Sequence, residues 1–125
     1  MAVYPSLTYR DVDAALGFLE LAFGFEPVVV ERDDEDAVGL AVMRHGDGMI
    51  LIQPEVPEAL HGAHAGVGWV YVVVEDPDAH YVRATTAGAE ALSEPDEGFD
   101  GAQRGYSARD LEGNLWSFGT ARPEG

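Results

Sequence analysis

The segments Asp11-Val12-Asp13-Ala14 and Asp76-Pro77-Asp78-Ala79 stand 65 residues apart, and the same offset carries Arg44 to Arg109, Asp47-Gly48 to Glu112-Gly113 and Tyr4 to Trp69. A fixed offset over matched positions is the signature of an internal repeat. In the first copy, Val3 to Tyr9 reads as a short apolar strand. A helix follows, capped by Asp11 or Asp13, with Val12, Ala15, Leu16, Leu19 and Phe23 on one face and Gly24 at its end. Glu26 to Arg32, Ala37 to Arg44 and Met49 to Gln53 read as strands separated by an acidic turn and a Gly-Asp-Gly turn. The second copy repeats this order: strand Trp69 to Glu75, a helix from Pro77 to about Ala87, and strands Ala89 to Ser93, Gln103 to Arg109 and Asn114 to Thr120. The fold class is therefore α+β, two tandem βαβββ modules within a single domain spanning 1–125. Module one covers about 1–54, a Pro- and Gly-rich linker 55–68, and module two about 69–120.

Each module has one helix for one sheet face, so the other face must be buried elsewhere or form a concave surface. Two such sheets set side by side, within one chain or across a dimer, enclose a cleft. By strand alternation Leu7, Tyr9, Val70, Val72, Val74, Trp116 and Phe118 go to the helix-covered faces. The opposite parity sends Tyr4, Ser6, Thr8, Ile50, Ile52, Trp69, Tyr71, Val73, Leu115 and Ser117 to the cleft. From these, Tyr4, Ser6, Ile52, Trp69, Tyr71, Leu115 and Ser117 are the candidate ligand-binding residues. An aromatic wall with a few hydroxyls suits stacking on a flat ligand. It lacks the imidazole or carboxylate that proton transfer needs. Trp69 and Tyr71 would serve equally as plugs of a module or dimer interface.

The composition narrows the chemistry further. With 23 acidic residues against 7 basic ones the net charge is −16. Such a body repels polyanions, so neither nucleic acid nor an anionic membrane is an expected partner, while cationic small molecules are attracted. The alternative is that the acidity serves solubility alone. Cys is absent, and all basic residues are Arg. Thiolate, Schiff-base and P-loop lysine chemistries are thereby excluded. No apolar run reaches a membrane span and no secretory leader opens the sequence, so a cytoplasmic location is expected.

The stretch from Pro5 to Ala14, with Phe18 and Gly24-Phe25, resembles the vicinal oxygen chelate superfamily of glyoxalase I, extradiol dioxygenases and bleomycin-resistance proteins. The stretch Tyr106-Ser107-Ala108-Arg109-Asp110-Leu111-Glu112-Gly113-Asn114-Leu115-Trp116-Ser117-Phe118 carries the resemblance most strongly. It looks like that family's Asp-Pro-x-Gly-Asn turn, with Leu111 in place of Pro. The resemblance covers nearly the whole chain and implies a homodimer. It also implies metal ligands at the first and fourth strands of each module, which fall on Tyr4, Ile52, Trp69 and Ser117. None of these is a ligand a divalent metal favours. The expectation is therefore no metal and no cofactor, as in the bleomycin-resistance branch: a small-molecule binder that sequesters a cationic or aromatic compound. The alternative is a metal-dependent glyoxalase- or dioxygenase-type enzyme, a lyase or a dioxygenase, with ligands outside the expected positions.

Outside the cleft, His61 and His64 are at a spacing that could share a metal but lie in the linker, where they read as loop residues. His45 and His80 read as surface or half-buried imidazoles without a visible catalytic partner. Arg109 and Asp110 could clamp a carboxylate, but Arg44 at the equivalent place favours a structural ion pair at each turn. The acidic segments Asp33 to Asp36 and Glu94 to Asp100 read as solvated loops that could gather a cation at the cleft mouth.

Overall fold

The computed structural model describes residues 3–55, 65–97 and 103–122. The linker histidines His61 and His64 lie outside the described residues. Module one consists of β1 (Ser6–Tyr9), α1 (Val12–Phe18) continued by a π-helical turn (Leu19–Phe23), β2 (Glu26–Arg32), β3 (Val38–His45) and β4 (Gly48–Pro54). Module two consists of β5 (Trp69–Val73), α2 (Pro77–Thr86), β6 (Glu90–Ala91), β7 (Gly105–Arg109) and β8 (Leu115–Gly119). The sheets have the matching orders β1-β4-β3-β2 and β5-β8-β7-β6, with a parallel pair at β1-β4 and at β5-β8. The βαβββ repeat is thus present in full, although β6 is shorter than the expected Ala89 to Ser93.

Of the two caps open to the first helix the structure uses Asp11, and the second helix begins after Asp76 as expected. Asp11 accepts the Ala14 N–H at 3.0 Å and Asp76 the Ala79 N–H at 3.1 Å, satisfying donors that a helix start leaves without partners. Pro77 at the first turn costs no hydrogen bond. Gly24 closes the first helical segment in the left-handed region at φ 83°, where a side chain is strained. The next acidic residue of each helix holds an arginine: Asp13 binds Arg32 at 2.7 Å and Asp78 binds Arg104 at 2.6 Å.

The helix-covered faces of the two sheets do not form separate cores. Leu7, Ala41, Met43 and Ile52 of the first sheet and Val72, Tyr106, Trp116 and Phe118 of the second belong to one buried cluster with residues of both helices. Phe23, from the end of the first helical segment, sits 4.7 Å from Phe118 and 5.2 Å from Trp116 between ring centroids, so module one's helix packs on module two's sheet. Pooling the cores turns the other face of each sheet outward.

The modules are locked where β1 ends. Tyr9 donates its phenol proton to Asp110, in the turn between β7 and β8. The same carboxylate accepts Trp116 Nε1 at 3.0 Å, Asn114 Nδ2 at 3.2 Å and the Glu112 and Asn114 amides. Asp110 is only 6% exposed, and this full set of donors is what permits a buried carboxylate. The expected ion pair at this turn is corrected: Asp110 faces inward, and Arg109 donates to the Gly113 carbonyl at 3.0 Å. At the equivalent place in module one, Arg44 forms a surface pair with Glu26 at 3.2 Å.

Candidate functional site

The outward face of the second sheet carries Trp69, Tyr71 and Val73 on β5, Leu115 and Ser117 on β8, and Ser107 on β7. Trp69 is 72% exposed, unusual for the largest apolar side chain on a soluble surface. Its indole N–H donates to Ser117 Oγ at 3.2 Å, and Ser117 Oγ lies 2.9 Å from Ser107 Oγ. Ser93 Oγ accepts the Ser107 amide at 3.3 Å. The result is a row of hydroxyls running from the exposed indole across the sheet. Ser107 and Ser117 are direct partners in the β7-β8 ladder, so strand pairing alone brings them together.

Beside this row lies a recess of about 380 Å³, lined by Tyr71, Ser93, Ser107 and Ser117 together with Asp96, Glu97 and Gln103. That volume falls within the range of small-molecule sites. Asp96 is fixed by a two-way backbone pairing with Gly105, which places Asp96 and Glu97 at the rim of the recess. The Tyr71 phenol donates to the Ala121 carbonyl at 2.6 Å, and burial holds its pKa above the ordinary tyrosine value. Tyr71 is thus a protonated, anchored ring. Strand parity did not reveal Ser93, Ser107, Asp96 or Glu97. Their signal was the acidic loop itself and the serine opposite Ser117.

The first sheet repeats this face with different chemistry. Ser6 Oγ accepts from Gln53 Nε2 at 2.9 Å, and Tyr4 is exposed. Ile52 is not part of it: its side chain is fully buried on the helix-covered face, paired with Leu7 and Ala41. Ile50 is likewise buried. The cause is one residue. Arg44 pairs with Met49 but Arg109 with Leu115, so the turn into β8 is one residue longer than the turn into β4. Beyond that turn the repeat offset becomes 66, and Leu51 rather than Ile52 is the counterpart of Ser117. A slip of one residue moves every side chain of a strand to the other face.

His45 and His80 lie away from both outer faces. His80 Nε2 meets the Phe23 carbonyl at 3.0 Å, which can only accept, so Nδ1 carries the lone pair that takes the Tyr106 hydroxyl proton. Burial lowers the pKa of both imidazoles, and for His80 the facing His45 and Arg83 add to it. His80 is a neutral bridge between the modules.

The donor set at the positions that the resemblance implies for metal ligands does not fit a divalent metal. A phenol at Tyr4, an indole at Trp69, an aliphatic side chain at either Leu51 or Ile52 and a hydroxyl at Ser117 supply no imidazole or carboxylate. Among the described residues no three His, Asp or Glu side chains are grouped to hold a metal. What the outer face of module two offers is stacking, hydroxyl hydrogen bonds and negative charge.

The sequence matches the family model of the Glyoxalase/Bleomycin resistance protein/Dioxygenase superfamily over residues 2–118. Among solved structures it is similar to TioX from Micromonospora sp. ML1, with a TM-score of 0.79 and 28% identity over 98% of this chain and 97% of that one. It is also similar to UcmS2, with a TM-score of 0.73 and 21% identity over 97% and 99% of the chains. The fosfomycin resistance protein FosX from Mesorhizobium loti shares the fold, with a TM-score of 0.69 and 15% identity over 99% and 94% of the chains. No curated protein matches the sequence.

Proposed function

Because this chain belongs to the glyoxalase/bleomycin resistance protein/dioxygenase superfamily, we propose that it is a metal-independent binder of a small aromatic, cationic compound, which it sequesters without chemical change. The observation that carries this reading is Trp69, a largely exposed indole set on a hydroxyl row beside a recess rimmed by Asp96 and Glu97. The indole and the Tyr71 ring supply flat faces for an aromatic ligand, and an indole face attracts a cation as well. Ser107 and Ser117 orient polar groups of the ligand. The carboxylates at the rim and the net charge of −16 favour a cation and raise its local concentration. Among the described residues no imidazole stands on this face to abstract a proton, which favours holding a ligand over converting it.

The pooled core leaves Trp69, Tyr71, Val28 and Val29 exposed on strands, and Tyr4 exposed just ahead of β1. A second copy laying its first sheet against the second sheet of this one would cover them and enclose the recess, so the proposed working unit is a homodimer. Tyr4, Ser6, Trp69, Tyr71, Leu115 and Ser117 are then the ligand-facing set, with Leu51 in place of Ile52.

Quenching of Trp69 fluorescence by aromatic cations such as acriflavine and ethidium tests this reading, since Trp116, the other tryptophan, is fully buried. Saturable quenching at micromolar concentration that vanishes in Trp69→Phe is expected. Absence of saturable quenching by any aromatic cation would overturn the proposal.

A further inference from the structure

The repeat creates two junctions at which the end of one module's first strand meets the hairpin turn of the other module. At the first, Tyr9 reaches Asp110, and the Glu112 carboxylate takes the Arg10 N–H at 2.7 Å and the Asp11 N–H at 2.8 Å. This second contact is a chelated carboxylate seated on two successive amides just before a helix.

At the second junction the same places are held by other residues. Val74 stands for Tyr9, His45 for Asp110, Asp47 for Glu112 and, beyond the longer turn, Ile50 for Trp116, while Glu75 and Asp76 supply the amides. Two rings are replaced by aliphatic side chains, the turn is one residue shorter and the acidic side chain is one methylene shorter. Among the described residues the junction is accordingly open. A cavity of about 860 Å³ lies there, with Phe25, Val72, Val74 and His45 in its walls. Among the described residues, no protein group accepts from the Glu75 or Asp76 N–H.

We propose that this second junction binds a small carboxylic acid with an aromatic body. Its carboxylate sits on the Glu75 and Asp76 amides as Glu112 sits on those of Arg10 and Asp11, and its ring lies against Phe25, Val72 and Val74. The fold itself displays the occupant's chemistry at the first junction, where a carboxylate and aromatic rings fill the equivalent space. Asp47, Glu75 and Asp76 oppose an anion here, but Asp76 is already committed to the Ala79 N–H. Arg83 lines the same cavity, its guanidinium fixed by the Glu20 and Leu21 carbonyls, and Arg122 lies at the wall. The low proton affinity of His45 keeps its imidazole an uncharged wall.

The test is an NMR titration of the intact isotope-labelled chain with phenylacetate, and with phenylacetamide as the uncharged control. Saturable shifts of the Glu75 and Asp76 amides with a dissociation constant of about 1 mM or below are expected for the acid and not for the amide. Asp47→Glu gives this junction a side chain as long as that of Glu112, which then competes for the amides. It is expected to weaken phenylacetate binding by about tenfold or more. Trp69→Ala is expected to leave phenylacetate binding unchanged, so this site stands or falls separately from the outer face of module two. No shift at about 10 mM, shifts confined to Ser107 and Ser117, or binding unaffected by Asp47→Glu would overturn the proposal.

Discussion

The Tyr9 hydroxyl and the Asp110 carboxylate, 101 residues apart, are hydrogen-bonded in the interior and join the end of the first strand to the last hairpin turn. Burial, then the nearby Asp110 charge, push the Tyr9 pKa far above its ordinary value, so the phenol is always the donor. A hydrogen bond to a charged group contributes about 1.5–3 kcal/mol, and Asp110 receives several. Tyr9→Phe is expected to cost about 2 kcal/mol, and Asp110→Ala about 3 kcal/mol or more, because it also strands Trp116 Nε1 and Asn114. Urea unfolding with an unchanged slope measures both. A cost for Asp110→Ala within about 0.5 kcal/mol of zero would show that the junction is held by packing alone.

Replacing Gly24 by Ala places a side chain in the left-handed region and its Cβ 3.2 Å from Arg83 Nη1. The backbone term alone is about 1 kcal/mol. Arg83→Ala removes the crowding and the caps on Glu20 and Leu21 together, so the double variant is expected to lose less than the sum of the singles. Additive losses would separate Arg83 from the helix end.

The imidazoles give stability a pH dependence. Folding lowers the pKa of His45 and His80 below the unfolded value of 6.5, so below that pH the unfolded chain binds more protons than the folded one. Their contribution is complete above pH 6.5 and is lost as pH falls through the folded values. The melting temperature is therefore expected to decline on acidification below about pH 6.5. His80→Phe should flatten that decline while lowering stability overall, as the Tyr106 and Phe23 bonds are lost. An equal slope in the variant would remove His80 from the account. The lowered carboxyl pKa values of Asp13 and Asp78, held down by hydrogen bonds from Arg32 and Arg104, add a second loss of the same sign at more acidic pH.

On the outer face of module two, Trp69→Ala is expected to weaken an aromatic cation by about tenfold or more, from lost stacking and lost area. Ser107→Ala and Ser117→Ala should each cost less, with little change in stability, since both sit at a half-buried surface. Equal affinity of Trp69→Ala and the parent protein would move the ligand elsewhere.

Elemental analysis of chelator-free protein offered zinc, nickel, iron and manganese is expected to find far less than one metal per chain. The basis is the donor set at Tyr4, Leu51, Trp69 and Ser117. Stoichiometric uptake of any of these metals would overturn the metal-independent reading and call for lyase and dioxygenase assays.

The sequence by itself determined the repeat, the βαβββ order of its elements, the start of each helix behind an aspartate and the residue types at the implied metal positions. These are local properties: an aspartate three residues ahead of a free N–H, a proline at a first turn, a period in the apolar pattern. The face reached by each strand was legible only as far as the hairpin turns, and the single extra residue before Leu115 put Ser117 outward while Ile52 turned in. Parity has a period of two, so one uncounted residue inverts a whole strand. Tertiary structure alone decided that the two modules share one core, that Asp110 is buried against Tyr9 while Arg109 stays outside, and that one junction is filled and the other open. Those outcomes depend on which surfaces two modules of the same fold bury against each other, and that is settled by side-chain volumes and hydrogen bonds between residues some hundred positions apart.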